Sequence, residues 1–343
     1  MTQASPSALV IRLDALGDAV ALTPLLLALR ERAIPTDLVG SAANAALFTS
    51  AALGQAFVPP FSLRDGSPAN LAAIDAFGAQ LRERNYTSVL VATEDPAGYR
   101  LARMTEAPVR IGFENGWAKP LKSLWIRSTL THAVHRSAGL DPRAPHECET
   151  LFRLGAPLLD EAARPTRDPQ RLTPLLLDER PPIERRIVFQ VTDKWVRLGI
   201  DDDAVVHLAR SLAARYGLRC VATCAEAAFA QRFERSTGLA VECFGELAPW
   251  KSALAAAQAL VAPDCGAIHV AGMLGTPTVA IFPPQPNFAL HVARWAPWAA
   301  RAEIVRAGAG WPSDALKRLA RLIDTSPSGD RARNRSRAGD PVR

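Results

Sequence analysis

The sequence predicts an α/β protein built from two doubly wound parallel sheets. Strand-like apolar runs alternate with amphipathic helical runs along most of the chain. The alternation is broken once, near the middle, and 343 residues suffice for two ordinary domains. The break, APLLDEAARPTRDPQRLTPLLLDERPPIERR from Ala156 to Arg186, holds six prolines and reads as an interdomain linker. Residues 166–185 are taken as that linker, between an amino-terminal domain over 1–165 and a carboxy-terminal one over 186–324.

In the first domain ALVIRL reads as a strand, TPLLLALRER as a helix and TDLVG as a strand. Thr23-Pro24 has the form of an N-cap followed by a first-turn proline, although a helix starting at Asp18 and tolerating the proline fits equally well. AAIDAFGAQLRERN is a helix, TSVLVAT a strand and VRIGF a short strand. In the second domain the strands are RIVFQV, LRCVAT, LAVECF, LVAP and TVAIF. The helices are DDDAVVHLARSLAARYG, AEAAFAQRFERSTG, LAPWKSALAAAQA, GAIHVAGMLG and SDALKRLARLID. The run Asp201-Asp202-Asp203 is read as a helix start, where carboxylates complement the dipole, rather than as a metal site. Ligands of doubly wound sheets bind beyond the carboxyl ends of the strands, so a cleft between two such domains is the natural place for a site.

Composition narrows the function. With 48% hydrophobic and 22% charged residues the chain has the profile of a soluble globular protein. MTQASPS lacks a basic and an apolar region, so no signal peptide is expected, and no apolar run is long enough to span a bilayer. Five scattered cysteines without zinc-finger spacing suggest reduced thiols in the cytoplasm. Of the formal charge of +6, half lies in the tail Thr325–Arg343, with five Arg and two Asp. That tail reads as disordered, either a solvated end or a segment that grazes an anionic membrane. The rest is only mildly basic and carries no nucleic-acid motif. The only Gly-x-Gly, Gly308 and Gly310, follows no strand-to-helix turn, and there is no Walker loop, so neither a dinucleotide oxidoreductase nor a P-loop enzyme is expected.

Two turns stand out. RLDALGDAV (12 to 20) sets Arg12, Asp14, Gly17 and Asp18 where a strand gives way to a helix. LVAPDCGAIHVAGMLGTPTVAIFPP (260 to 284) sets Asp264, Cys265, Gly266 and His269 at a second such junction. In the second turn the unpaired N–H groups and the positive end of the helix dipole favour a diphosphate, and Gly266 lets backbone approach it. His269 would donate to a phosphate oxygen, and Asp264 would cap the helix or order its N–H groups. On the residues alone a capping Asp and a packed His explain the turn as well. No base is visible for Cys265 as a nucleophile.

Asp-x-Gly-x-x-His, the apolar helix, Leu-Gly-Thr-Pro and the strand ending in Phe resemble the nucleotide-sugar motif of glycosyltransferase family 9, which includes the ADP-heptose:lipopolysaccharide heptosyltransferases. RLDALGDAVALTPLL is similar to that family's amino-terminal signature, and VRIGF (109 to 113) and His146 with HECETLFRLGA fit its patterns. The resemblance runs from about residue 8 to residue 324. It implies a GT-B fold, two Rossmann-like domains whose parallel sheets face each other across a cleft, the first holding acceptor and the second donor, with no metal and no cofactor beyond the ADP-sugar co-substrate. It implies an inverting transfer of a sugar, heptose foremost, to an acceptor of the lipopolysaccharide-core type. The location implied is cytoplasmic, with the inner face of the inner membrane as a peripheral contact.

Carried onto this chain, the catalytic carboxylate is Asp18, the residue after Gly17, which permits the tight turn. A carboxylate there can take the acceptor proton and offset oxocarbenium charge; the competing role is a helix cap. Asp14 orients the loop, pairs with a cation or contacts acceptor, and Arg12 pairs with a carboxylate or an anionic acceptor. In VTDKWVRLG (191 to 199), Thr192 and Lys194 match the residues that meet the diphosphate, on a loop shorter than is usual for the family. Trp195 reads as that loop's packed anchor. Glu226 matches a ribose-contacting glutamate, though a helix-start role explains it equally. The shortened loop motivates one alternative, a non-catalytic ADP- or sugar-binding or assembly protein on the same fold.

Overall fold

A computed structural model describes residues 6–63, 65–137 and 141–324. The basic tail from Thr325 onward lies outside the described residues. The chain divides into two compact units, Met1–Glu179 with Ala293–Trp295, and Arg180–Val292 with Ala296–Arg343.

The first unit holds strands β1 (Ala8–Arg12), β2 (Thr36–Gly40), β3 (Ala56–Phe57), β4 (Ser88–Val91), β5 (Val109–Glu114) and β6 (His132–His135). They form a parallel six-stranded sheet in the order β3-β2-β1-β4-β5-β6. The second unit holds β7 (Ile187–Gln190), β8 (Leu218–Thr223), β9 (Val241–Phe244), β10 (Ala259–Pro263), β11 (Thr278–Phe282) and β12 (Ala302–Arg306). Their order is β12-β11-β10-β7-β8-β9, also all parallel. Counted from the first strand of each unit, both sheets have the same winding, that of dinucleotide-type folds. The strand order reverses between β1 and β4 in one unit and between β7 and β10 in the other.

Burial explains the strands. β1, β4, β10 and β11 are buried along their whole length, as befits parallel strands covered on both faces, whereas the edge strand β6 exposes most of its residues and β9 half of them. Leu9, Ile11, Val89, Val91, Tyr99 and Ile126 belong to the core of the first unit. In the second, Trp195 stacks on Phe189 at 5.5 Å and lies 6.0 Å from Trp311, and its indole N–H donates to the Gln190 carbonyl at 3.0 Å. Trp195 is thus the loop anchor expected of it.

One local reading is corrected. Thr23 is the first residue of helix Thr23–Glu31 rather than its cap, and its hydroxyl donates backwards to Val20 O at 2.6 Å. A separate short helix, Leu16–Val20, precedes it. The Pro-rich stretch is helical in part. Pro169–Leu172 and Thr173–Leu175 are helical, Leu172, Leu175 and Leu176 are fully buried, and Thr49 donates to Pro174 O at 2.7 Å. Apolar leucines between the prolines draw the stretch onto the first unit, and the units part between Glu179 and Arg180. Asp201 caps helix Asp202–Arg215 by accepting from Ala204 N at 2.8 Å, which accounts for the triple aspartate.

Candidate active site

In the first unit the candidate groups gather at the carboxyl ends of β1 and β4, where the strand order reverses. Arg12 ends β1 with its guanidinium buried, donating to the Ala92 carbonyl just past β4. Its Nη2 lies 3.4 Å from Asp18 Oδ1 and its Nη1 lies 3.5 Å from Asp14 Oδ2. Asn44 fixes the turn, donating to Arg12 O at 3.2 Å and Asp14 O at 2.9 Å. The helix Leu16–Val20 has Ala15 at its N-cap and no side-chain cap, so Asp18 is not a cap. Gly17 sits inside that helix with ordinary helical geometry, so the turn does not call on its freedom at positive φ.

A buried carboxylate that the sequence did not single out completes the cluster. Glu147, fully buried, places Oε1 3.7 Å from Arg12 Nη2 and 3.1 Å from Arg136 Nη2. Arg136 in turn lies 3.2 Å from Glu94 Oε1. His146 holds Glu147 at the start of its helix. Its Nδ1 accepts from Cys148 N at 3.1 Å while its own N–H donates to Glu149 Oε2 at 3.2 Å, a capping box with histidine in the serine place. Arginines thus link a row of acids running from Asp18 and Asp14 through Glu147 to Glu94.

That setting makes Asp18 more basic than an ordinary carboxylate. Burial raises its pKa most; Arg12 pulls it down, Asp14 and Glu147 push it up, and Arg136 pulls it down. The balance is a rise, the direction a general base needs.

In the second unit the groups gather at the carboxyl ends of β7 and β10, the corresponding reversal. Helix Gly266–Leu274 follows β10 with Cys265 at its N-cap and no side-chain cap. Asp264 is therefore not the cap. Its Oδ2 lies 2.7 Å from His291 Nε2 and its Oδ1 3.9 Å from His269 Nε2. The Cys265 thiol is pushed up to about 12, chiefly by burial, so it is no thiolate nucleophile. The nearby N–H groups of Ala267 and Ile268 and the charge of Lys194 only partly counter this.

On the loop after β7, Thr192 does not present its hydroxyl proton outward. It donates to Glu226 Oε1 at 2.8 Å, and Asp193 N donates to Glu226 Oε2 at 2.9 Å. Lys194 N in turn donates to Thr192 Oγ1 at 3.3 Å. Glu226, at the start of helix Ala227–Thr237, thus ties the short loop to β8. Among the described residues no group of three or more His, Cys, Asp or Glu could hold a metal ion. A cavity of about 550 Å³ lined by Phe152, Leu159 and Pro165 contains none of these candidate groups.

The sequence motifs located Asp18, Arg12, Asp14, Asp264 and His269. They missed Glu147, Arg136, Glu94 and His291; only Glu147 left a signal, as the neighbour of His146 in a stretch already noted.

The model of glycosyltransferase family 9 (heptosyltransferase) matches residues 219–323. That segment includes the Asp264–His269 turn, whose motif resembles this family's. No curated protein matches the sequence. Among solved structures, a family 9 glycosyl transferase from Veillonella parvula DSM 2008 is 16% identical, with 95% of this chain and 99% of that chain covered and a TM-score of 0.69. E. coli heptosyltransferase WaaC with ADP is 21% identical over 92% of this chain and 99% of that chain, TM-score 0.69. E. coli ADP-heptose lps heptosyltransferase II is 19% identical over 92% and 98%, TM-score 0.66. At these identities the likeness is one of fold, the GT-B-like pairing of two α/β units along nearly the whole chain.

Proposed function

We propose that this protein is an inverting, metal-independent glycosyltransferase that moves a sugar, heptose foremost, from an ADP-sugar to an acceptor of the lipopolysaccharide-core type at the cytoplasmic face of a membrane. One observation carries the reading. The same topological address bears a basic carboxylate in one unit and, in the other, a helix N-terminus without a side-chain cap and with His269 in its first turn. Those are the two needs of the reaction. Asp18 takes the proton of the acceptor hydroxyl as its oxygen bonds to the anomeric carbon. The bond from that carbon to the diphosphate breaks, and ADP leaves with the electron pair. Its added charge is met by the helix N–H groups, Lys194 and His269, which reduces the need for a metal ion. Arg12 positions the base, and Glu147 positions Arg12. Support for ADP comes from the family 9 match and from WaaC, which was solved with ADP.

The shortened loop at Thr192–Lys194 favours a second reading, a non-catalytic nucleotide-binding protein on the same fold. Incubation with a panel of nucleotide sugars, with and without lipid A–Kdo, separates the two. The transferase releases ADP from an ADP-sugar only when acceptor is present. Binding of ADP by calorimetry without turnover of any donor would favour the second reading.

A further inference from the structure

Between Glu114 and Asp141 the sequence contains no acidic residue, yet it carries Lys119, Lys122, Arg127 and Arg136 with His132 and His135. The structure folds the first part of this stretch into a turn, Gly116–Ala118, and a helix, Pro120–Thr129. The helix buries Ser123, Ile126 and Thr129 against its own unit. Trp117 lies in the turn, and Leu121, Leu124 and Trp125 of the helix, spaced i, i+3 and i+4, fall on the opposite face at about 100° per residue. In that order the four are 95%, 83%, 69% and 41% exposed. Trp125 is steadied by Tyr99, edge-on at 5.9 Å. A helix with an inner apolar stripe has no need of an outer one for its own stability, and large exposed apolar patches mark interaction surfaces.

We propose that this face docks on an anionic phospholipid bilayer. Charge complementarity selects the occupant. Lys122 and Arg127 flank the apolar stripe on its two sides, each paired with a carboxylate, Glu94 and Glu114, and Lys119 makes no ion pair among the described residues. Tryptophan and leucine between cations is the composition of helices that lie in a membrane interface. Pairing with a second copy would bring the same cations face to face, and protein interfaces are depleted in lysine. Each cation near an anionic leaflet adds attraction that salt screens.

The face is also next to the chemistry. Lys122 Nζ lies 3.6 Å from Glu94 Oε2 and donates to Glu94 O at 3.3 Å. Glu94 is the end of the row of ion pairs that leads through Arg136, Glu147 and Arg12 to Asp18. The inference deepens the transferase reading by naming the surface from which a glycolipid acceptor would reach the base. Its test reads lipid binding alone, so either can fail without the other.

The full-length protein is sedimented with phosphatidylglycerol–phosphatidylcholine vesicles and with phosphatidylcholine vesicles. We expect binding to the first, weakened by added salt, and little to the second. The exposed triple variant Trp117→Ser, Leu121→Gln, Leu124→Gln should keep its thermal transition and lose binding by about tenfold or more. Lys119→Glu should lose less. Three outcomes overturn the proposal: no binding by the parent; unchanged binding by the folded triple variant, which would assign lipid contact elsewhere, such as the tail from Thr325; or a parent dimer that the triple variant converts to monomer in light scattering.

Discussion

The turn after β1 and the turn after β10 occupy the reversal points of two sheets wound alike, and they are chemically opposite. The first gathers carboxylates around buried arginines, and its helix is only Leu16–Val20. The second leaves the N-terminus of the longer helix Gly266–Leu274 without a side-chain cap and turns its aspartate towards two histidines. Topology places the two turns alike beyond the strand ends; the side chains gathered there set their different chemistry.

The comparison breaks most sharply at Asp18. Asp18→Asn should cut transfer by about 10²–10⁴-fold, the worth of a general base, with ADP affinity unchanged by calorimetry. Full activity in this variant would remove Asp18 as the base. The raised pKa adds two signs. Transfer should fall on the acid side, with a limb above the ordinary carboxylate range, because the base must be ionised. A raised pKa also means that the folded state binds the proton more tightly than the unfolded state does. Ionised Asp18 therefore costs stability at neutral pH, and the cost is relieved as pH falls through its folded value. Asp18→Asn should melt slightly higher than the parent at neutral pH, and the difference should vanish in acid.

On the opposite side, His269→Ala should weaken ADP binding and transfer by about 10–100-fold, the loss of one charge-assisted contact, while the acid limb stays in place. Movement of that limb instead would show that the two turns are not chemically separate. Glu147→Gln sharpens the first turn alone. Removing one buried partner of Arg12 and Arg136 should cost about 3 kcal/mol in denaturant unfolding. It also removes a charge that raises Asp18, so the acid limb should move to lower pH. Asp201→Ala gives the smallest effect, about 1 kcal/mol for a lost N-cap, with transfer unaltered. A larger loss of transfer would return the triple aspartate to the list of functional residues.

Much of the fold could be read without coordinates, because its signals are local. Apolar runs marked β1, β4, β7 and β11; the glycine expected to close helix Asp202–Arg215 is not a left-handed cap, whereas Gly238 after helix Ala227–Thr237 is. Less was legible where a segment's partner is remote. β3 and β6 are short or exposed edge strands whose apolar pattern is weak. The helix Phe288–Trp295 follows prolines that read as loop. The leucines at 172 to 177 look like linker until the surface that buries them is known.

What the sequence determined by itself is the alternation of strands and helices, the two strand-end turns bearing Asp18 and His269, the cap at Asp201 and the anchor at Trp195. Each depends on periodicity, capping or a motif contained within a few residues. Only the tertiary structure decided that Glu147 underlies Arg12, that His291 meets Asp264 and that Glu226 engages Thr192. Those partners lie far apart along the chain. Sheet order brings them together, and burial then makes their charges count, because a carboxylate removed from water responds to every neighbour.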